Sequence, residues 1–162
     1  MKKILVPLLV AGLAGVAGGG AYASSPAGAK RVVAPDPAIA SSFSALSTPT
    51  VSRDSLAADL AGVADLAQIH PAGPARLGLT PYLVPSLSGG LCLFFKQADG
   101  SSLGHCAGKG DASSQQFDGR IGSTNGDLWV GLRADGIDLV AAADGSTVPL
   151  IGNVYIIDHP EK

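Results

Sequence analysis

Leu91-Cys92-Leu93-Phe94-Phe95-Lys96 is followed by Gln97-Ala98-Asp99-Gly100-Ser101-Ser102 and then by Leu103-Gly104-His105-Cys106-Ala107. The stretch reads as a β-hairpin: an apolar run, a polar Asp-Gly turn and a returning strand. With the turn centred on Asp99, Cys92 falls opposite Cys106, as a cross-strand disulfide requires. These are the only two cysteines of the chain. The loop they close is about 15 residues, worth roughly 3 kcal/mol in the chain-entropy picture.

Such a bond needs an oxidising compartment, and the N-terminus points to one. Met1-Lys2-Lys3 precedes an apolar stretch from Ile4 to Val16, and Ala21-Tyr22-Ala23 follows. A basic start, an apolar middle and an Ala-x-Ala end are the parts of a secretory signal peptide. Residues 1–23 are therefore read as a signal peptide cleaved after Ala23, with an uncleaved anchor as the alternative. The apolar stretch is short and Gly-rich beside the roughly 20 residues of a stable membrane span. No cysteine follows it closely, which argues against a lipid-anchored lipoprotein. Residues 24–42, with Pro26, Pro35 and Pro37 among small side chains, read as a flexible linker. Residues 43–160 are left as a single globular domain, secreted or held in the extracytoplasmic envelope.

Charge removes two partner classes. The chain carries 11 Lys+Arg and 13 Asp+Glu, a net of −2; without Lys2 and Lys3 the balance is 9 against 13, or −4. No basic cluster is present to neutralise phosphates, so nucleic acid is not an expected partner. A polybasic membrane patch is missing for the same reason, which confines any membrane contact to an uncleaved N-terminal segment.

Within the domain, Leu56, Leu60, Val63 and Ala67 recur at four, three and four residues, the spacing of one helix face. Ser52 is placed to cap that helix and Pro71 to end it. Leu79 to Pro85 reads as an extended segment whose prolines put it at a sheet edge. After the hairpin, the polar stretch from Gly108 to Gly126 holds one strand around Phe117 to Ile121. A meander follows: Leu128 to Leu132, a turn at Ala134-Asp135-Gly136, Ile137 to Ala142, a turn at Asp144-Gly145, Thr147 to Ile151, and Val154 to Ile157. A two-residue Asp144-Gly145 turn would set Leu139 opposite Leu150 and Ala141 opposite Val148, with all four on one face. Ala-Asp-Gly occurs at 98–100, 134–136 and 143–145, which is turn chemistry without a repeat period. The expected architecture is α+β: one N-terminal helix packed on a small antiparallel sheet of hairpins and meander, with a single disulfide.

Reactive constellations are sparse. His105 adjoins Cys106, but strand neighbours point to opposite faces, so the imidazole is poorly placed to serve that sulfur. His105 is expected on the surface. No Gly-x-Ser-x-Gly elbow occurs, since Gly122-Ser123-Thr124-Asn125-Gly126 has the wrong spacing. His70, His105 and His159 lie far apart in sequence and form no i, i+4 pair, so a zinc site is unsupported. The Asp-Gly turns lack a calcium-loop pattern; Asp135, Asp138 and Asp144 are read as solvated turn residues. Glu161 is the only glutamate and lies in the tail, which leaves no obvious carboxylate pair for glycoside chemistry. No catalytic residue, cofactor or metal site is assigned. Trp129 alternates with Leu128 and Val130; it packs against the helix or, if it faces out, is the candidate interaction residue.

The order of parts resembles a family of uncharacterised exported proteins of actinobacteria. The likeness rests on Ala75-Arg76, Tyr82-Leu83-Val84-Pro85, Gly90-Leu91-Cys92-Leu93 and Cys106. It continues through Val130-Gly131-Leu132-Arg133-Ala134-Asp135-Gly136-Ile137, where the Gly131 spacing departs from the pattern, to Asn153-Val154-Tyr155. It covers roughly Phe43 to Ile157. The resemblance implies a secreted or surface location and a disulfide-stapled, β-rich domain, and it brings no activity or site residues.

The functional expectation is an exported, non-catalytic binding or structural module whose partner is a protein or a cell-wall component. A small secreted hydrolase is one alternative. The other is a protein-protein inhibitor that presents the 97–102 loop rigidly.

Overall fold

Five consecutive apolar residues, Leu91 to Phe95, cannot alternate between core and solvent, and the fold buries them on both sides. The computed structural model describes residues 34–123, 126–141 and 147–158. The signal-peptide reading of 1–23, the Asp144-Gly145 turn, His159 and Glu161 lie outside the described residues.

Four strands form the first sheet: β1 (His70–Pro71), β2 (Leu79–Pro85), β3 (Leu91–Gln97) and β4 (Ser102–Cys106), antiparallel in that order. β5 (Phe117–Ser123) and β6 (Gly126–Leu132) pair with each other, and β6 pairs with β9 (Val154–Asp158) to complete a second antiparallel sheet. Between β6 and β9 the chain makes a separate two-stranded excursion, β7 (Leu139–Ala141) with β8 (Thr147–Pro149). The main core lies between the two larger sheets. Leu83, Leu91, Leu93 and Phe95 meet Ile121, Leu128, Val130, Leu132, Val154 and Ile156 there, joined by Ile39 and Phe43. Ile39 belongs to a single helical turn, α1 (Pro37–Ala40), capped by the Asp36 carboxylate, which accepts from the Ala38 N–H at 2.8 Å. Packing therefore begins ahead of Phe43, inside the stretch read as linker. On its other face the first sheet carries a second cluster, in which Cys92, Phe94 and Val84 meet Leu56, Ala64, Leu66 and Ile69.

The hairpin register is the one centred on Asp99: Cys92 pairs with Cys106, Leu93 with His105 and Phe95 with Leu103. The disulfide is formed, with the two Cα atoms 3.9 Å apart. A disulfide is consistent with an oxidising location.

The expected helix is absent. Residues 52–69 make only two 3-10 turns, Arg53–Ser55 and Ala58–Gly62, although Ser52 does cap the first, its hydroxyl accepting from Asp54 N–H at 3.3 Å. Of the predicted stripe only Leu56 is buried; Val63 is 48% exposed, while Ala64, Leu66 and Ile69, off the stripe, are buried instead. Two influences override the periodicity. The sheet takes the backbone groups: Val51 N–H donates to Ile69 O at 2.9 Å, Asp65 N–H to Pro85 O at 2.9 Å, and Leu87 N–H to Val63 O at 3.0 Å. Short polar side chains also compete locally, as where Asp65 accepts from Ala67 N–H at 3.1 Å. The α component of the α+β reading is thus reduced to single turns, and the domain is mostly antiparallel sheet with one disulfide.

Two further expectations are corrected. β2 is not an edge strand, because β1 pairs with its Tyr82 and Leu83. Its prolines are tolerated because Pro81 and Pro85 face away from β3: their carbonyls accept from Ala72 N–H (3.0 Å) and Asp65 N–H (2.9 Å). The β7–β8 register is one residue off the predicted one, with Leu139 opposite Pro149 and Val140 opposite Val148. Leu139 is 57% exposed, so no buried face pins the register of this short ladder.

Buried polar residues bind the loops to the sheets. Asn153 accepts from Ala45 N–H at 3.0 Å and donates to Arg133 O at 3.0 Å and to the Asp135 carboxylate at 2.7 Å. Gln115 accepts from Leu91 N–H at 2.8 Å and donates to Gly108 O at 3.1 Å, clamping the start of β3.

Candidate functional site

β4 is the last strand of the first sheet and β5 the first of the second, so among the described residues each has one unpaired edge. Where these edges face each other the sandwich is not closed. A groove of about 410 Å³ opens there, lined by Phe95, Leu103, Phe117, Gly119, Ile121 and Val130. The floor is apolar because these side chains occupy the inward positions of their strands: Gly119 pairs with Val130 and Phe95 with Leu103. Gly119 is the reason the space is empty. It occupies an inward position between Phe117 and Ile121, yet a Cβ placed on it would meet no atom within 4 Å. His105 stands at one end, its ring 5.0 Å from that of Phe117, and links β4 to β5.

The outward positions of β5 carry charge, and that charge is internally matched. Asp118, Gly131 and Tyr155 form one row across β5, β6 and β9. The Tyr155 ring lies over Gly131, where an added Cβ would fall 2.4 Å from the ring. The Tyr155 hydroxyl donates to Asp118, which also accepts from Arg133 at 2.6 Å, and the Arg133 guanidinium lies 5.4 Å from the centre of the Tyr155 ring. Burial, reinforced by the bond to the Asp118 carboxylate, pushes the Tyr155 phenol well above its usual range. In the next row Arg120, Trp129 and Ile157 are paired, and Arg120 forms an ion pair with Asp127.

Trp129 therefore lies on the outer face of the second sheet, 36% exposed, with Leu128 and Val130 turned into the core. The expected packing of Trp129 on a helix does not occur. His70 and His105 occupy strands at opposite edges of the first sheet. His70 is buried, with Nδ1 2.7 Å from the Thr48 carbonyl oxygen, and His105 is exposed. Among the described residues no hydroxyl or thiol hydrogen-bonds to either ring, and no group of three or more His, Cys, Asp or Glu is arranged to hold a metal. Asp135 is committed elsewhere. Burial raises its carboxyl pKa, but donors from the Ser44 N–H, Asn153 and the Ser44 hydroxyl outweigh this and hold it below the usual range.

The 97–102 loop is exposed at its tip and braced by itself. Gln97 N–H donates to Ser101 O at 2.8 Å, and Asp99 accepts from the Ser101 hydroxyl (2.6 Å) and N–H (2.9 Å). Those two donors, the hydroxyl first, hold the Asp99 carboxyl below its usual range.

No expectation drawn from the sequence covered the groove. Its signal was a glycine at an inward position of Phe117-Asp118-Gly119-Arg120-Ile121, a pattern that marks a missing side chain in a strand. Comparison with protein-family models, with curated proteins and with solved structures finds no match to this chain.

Proposed function

We propose that the chain is an exported, non-catalytic binding module of the envelope or extracellular space, of the kind its resemblance to exported actinobacterial proteins implies. Its partner, a protein or a wall component, seats in the groove between β4 and β5. The observation that carries this reading is the apolar space over Gly119, flanked by two strand edges and lined without a nucleophile–base pair. Concave, mostly apolar sites with few polar groups are where proteins take ligands. Trp129, on the outer face of the second sheet, is a secondary contact outside the groove.

The self-braced 97–102 loop favours a second reading, an inhibitor that offers this turn to a target enzyme. Photo-crosslinking separates the two. A benzophenone side chain is placed at Leu103 in one protein and at Ala98 in another, and each is exposed to intact envelope and to spent medium. The groove reading predicts a discrete adduct from position 103 only. An adduct from position 98 alone would replace it with the inhibitor reading.

A further inference from the structure

The free edge of β4 specifies what kind of partner fits. Gln97 N–H donates to Ser101 O, and Ala107 N–H to Leu91 O, each at 2.8 Å, at the two ends of the hairpin. With the Cys92–Cys106 register between them, antiparallel alternation makes Leu93–His105 and Phe95–Leu103 the hydrogen-bonded pairs. The N–H and C=O groups of Ser102, Gly104 and Cys106 therefore point away from β3, and Gly104 among them lines the groove. β4 also lacks the devices that protect edges: it has no proline, no lysine and no bulge in its pairing. β5, across the groove, is guarded by Asp118 and Arg120.

We infer that the groove takes an extended peptide segment, which adds to β4 as a fifth, antiparallel or parallel, strand of the first sheet and places an uncharged apolar side chain in the space over Gly119. This deepens the groove reading above and rests on it. A strand added to β4 alternates its side chains, so every second one faces the second sheet. There it meets Phe95, Leu103, Ile121 and Val130. Charge complementarity limits the inserted residue. Asp118 is matched by Arg133 and Tyr155, and Arg120 by Asp127, which leaves neither of these rim charges to attract an opposite one. The disulfide holds β4 against β3 before the peptide arrives, so little ordering cost remains on the protein side.

The test uses the full exported chain and a short capped peptide of alternating Thr and Val with a central Leu, read by amide hydrogen exchange and chemical shifts. Strand addition predicts that millimolar peptide slows exchange of the Gly104 N–H by at least about tenfold. It also predicts that a peptide N-methylated on its edge-facing amides has no effect. Shifts at Phe117 and Ile121 with Gly104 exchange unchanged, or equal binding of the N-methylated peptide, overturn strand addition while the groove reading stands. No shift at either place overturns both. Gly104 exchange that slows with protein concentration alone assigns the edge to a second copy of this chain and overturns the peptide.

Discussion

Reduction of Cys92–Cys106 isolates the contribution of the staple, because it changes one bond and leaves every side chain in place. The bridge spans a sequence separation of 14, so it closes a loop of 15 residues. In the chain-entropy picture that loop is worth about 3 kcal/mol. A domain of this size has about 5–15 kcal/mol in total, so the loss is a large fraction of it. With an m-value of roughly 1–3 kcal/mol per molar urea, the midpoint falls by about 1–3 M on reduction. The Cys92→Ala/Cys106→Ala protein falls further, by roughly 1 kcal/mol, since Cys92 is fully buried beside Val84 and Phe94 and its sulfur leaves a void. Equilibrium urea unfolding followed by Trp129 fluorescence, with and without reductant, measures both numbers. The double variant, which has no bond to lose, must be indifferent to reductant. A midpoint of the parent chain that does not move on complete reduction would refute the reasoning, because β4 would then be held by its ladder alone.

Gly131→Ala drives a methyl into the Tyr155 ring and breaks the bond to Asp118; it costs about 2–4 kcal/mol in urea unfolding and lets Tyr155 ionise at lower pH in an ultraviolet titration. Gln115→Ala strands the buried Leu91 N–H, while the exposed Gly108 C=O turns to water, and the expected loss is about 1–3 kcal/mol, visible as a lower Tm. Asp135 has a folded-state pKa below its unfolded value, so its contribution is complete above the ordinary carboxylate pKa of about 4 and is lost as pH falls through the folded value. Urea midpoints taken between neutral and acid pH fall accordingly, and Asp135→Asn flattens that fall. The raised Tyr155 pKa works in the opposite direction: its contribution is complete below the unfolded phenol pKa of about 10 and fades as pH rises beyond it.

What the sequence made legible follows how strongly each segment is over-determined. The 91–107 hairpin carries three agreeing signals, namely an apolar run, an Asp-Gly turn and two cysteines equidistant from Asp99, and its register is the one they set. The strand at Phe117 is visible by its alternation with β6. Residues 52–69 show helical spacing, but the same apolar residues also satisfy an irregular segment tied to the first sheet, and the backbone bonds offered by Ile69 and Pro85 decide the outcome. Such long-range partners leave no local trace. Leu139 and Leu150 gave an attractive register for β7–β8, yet a register is enforced only where a face is buried, and Leu139 is solvent-exposed. Trp129 illustrates a different ambiguity: alternation identifies two sets of residues without saying which set is inside. The groove was illegible because it arises between two strand edges of different sheets, and only the glycine at 119 hinted at it.

Gly119→Leu tests the account most directly, since its Cβ enters the groove without meeting a described atom within 4 Å. A leucine there covers apolar surface of Ile121 and Val130, so thermal unfolding stays at or above the parent Tm. The measurement is binding of the partner captured by crosslinking at Leu103, compared between the parent chain and Gly119→Leu at equal concentration. The account predicts at least about a hundredfold weaker binding by the variant, roughly 2.8 kcal/mol. Equal affinity in a fully folded Gly119→Leu protein would contradict it.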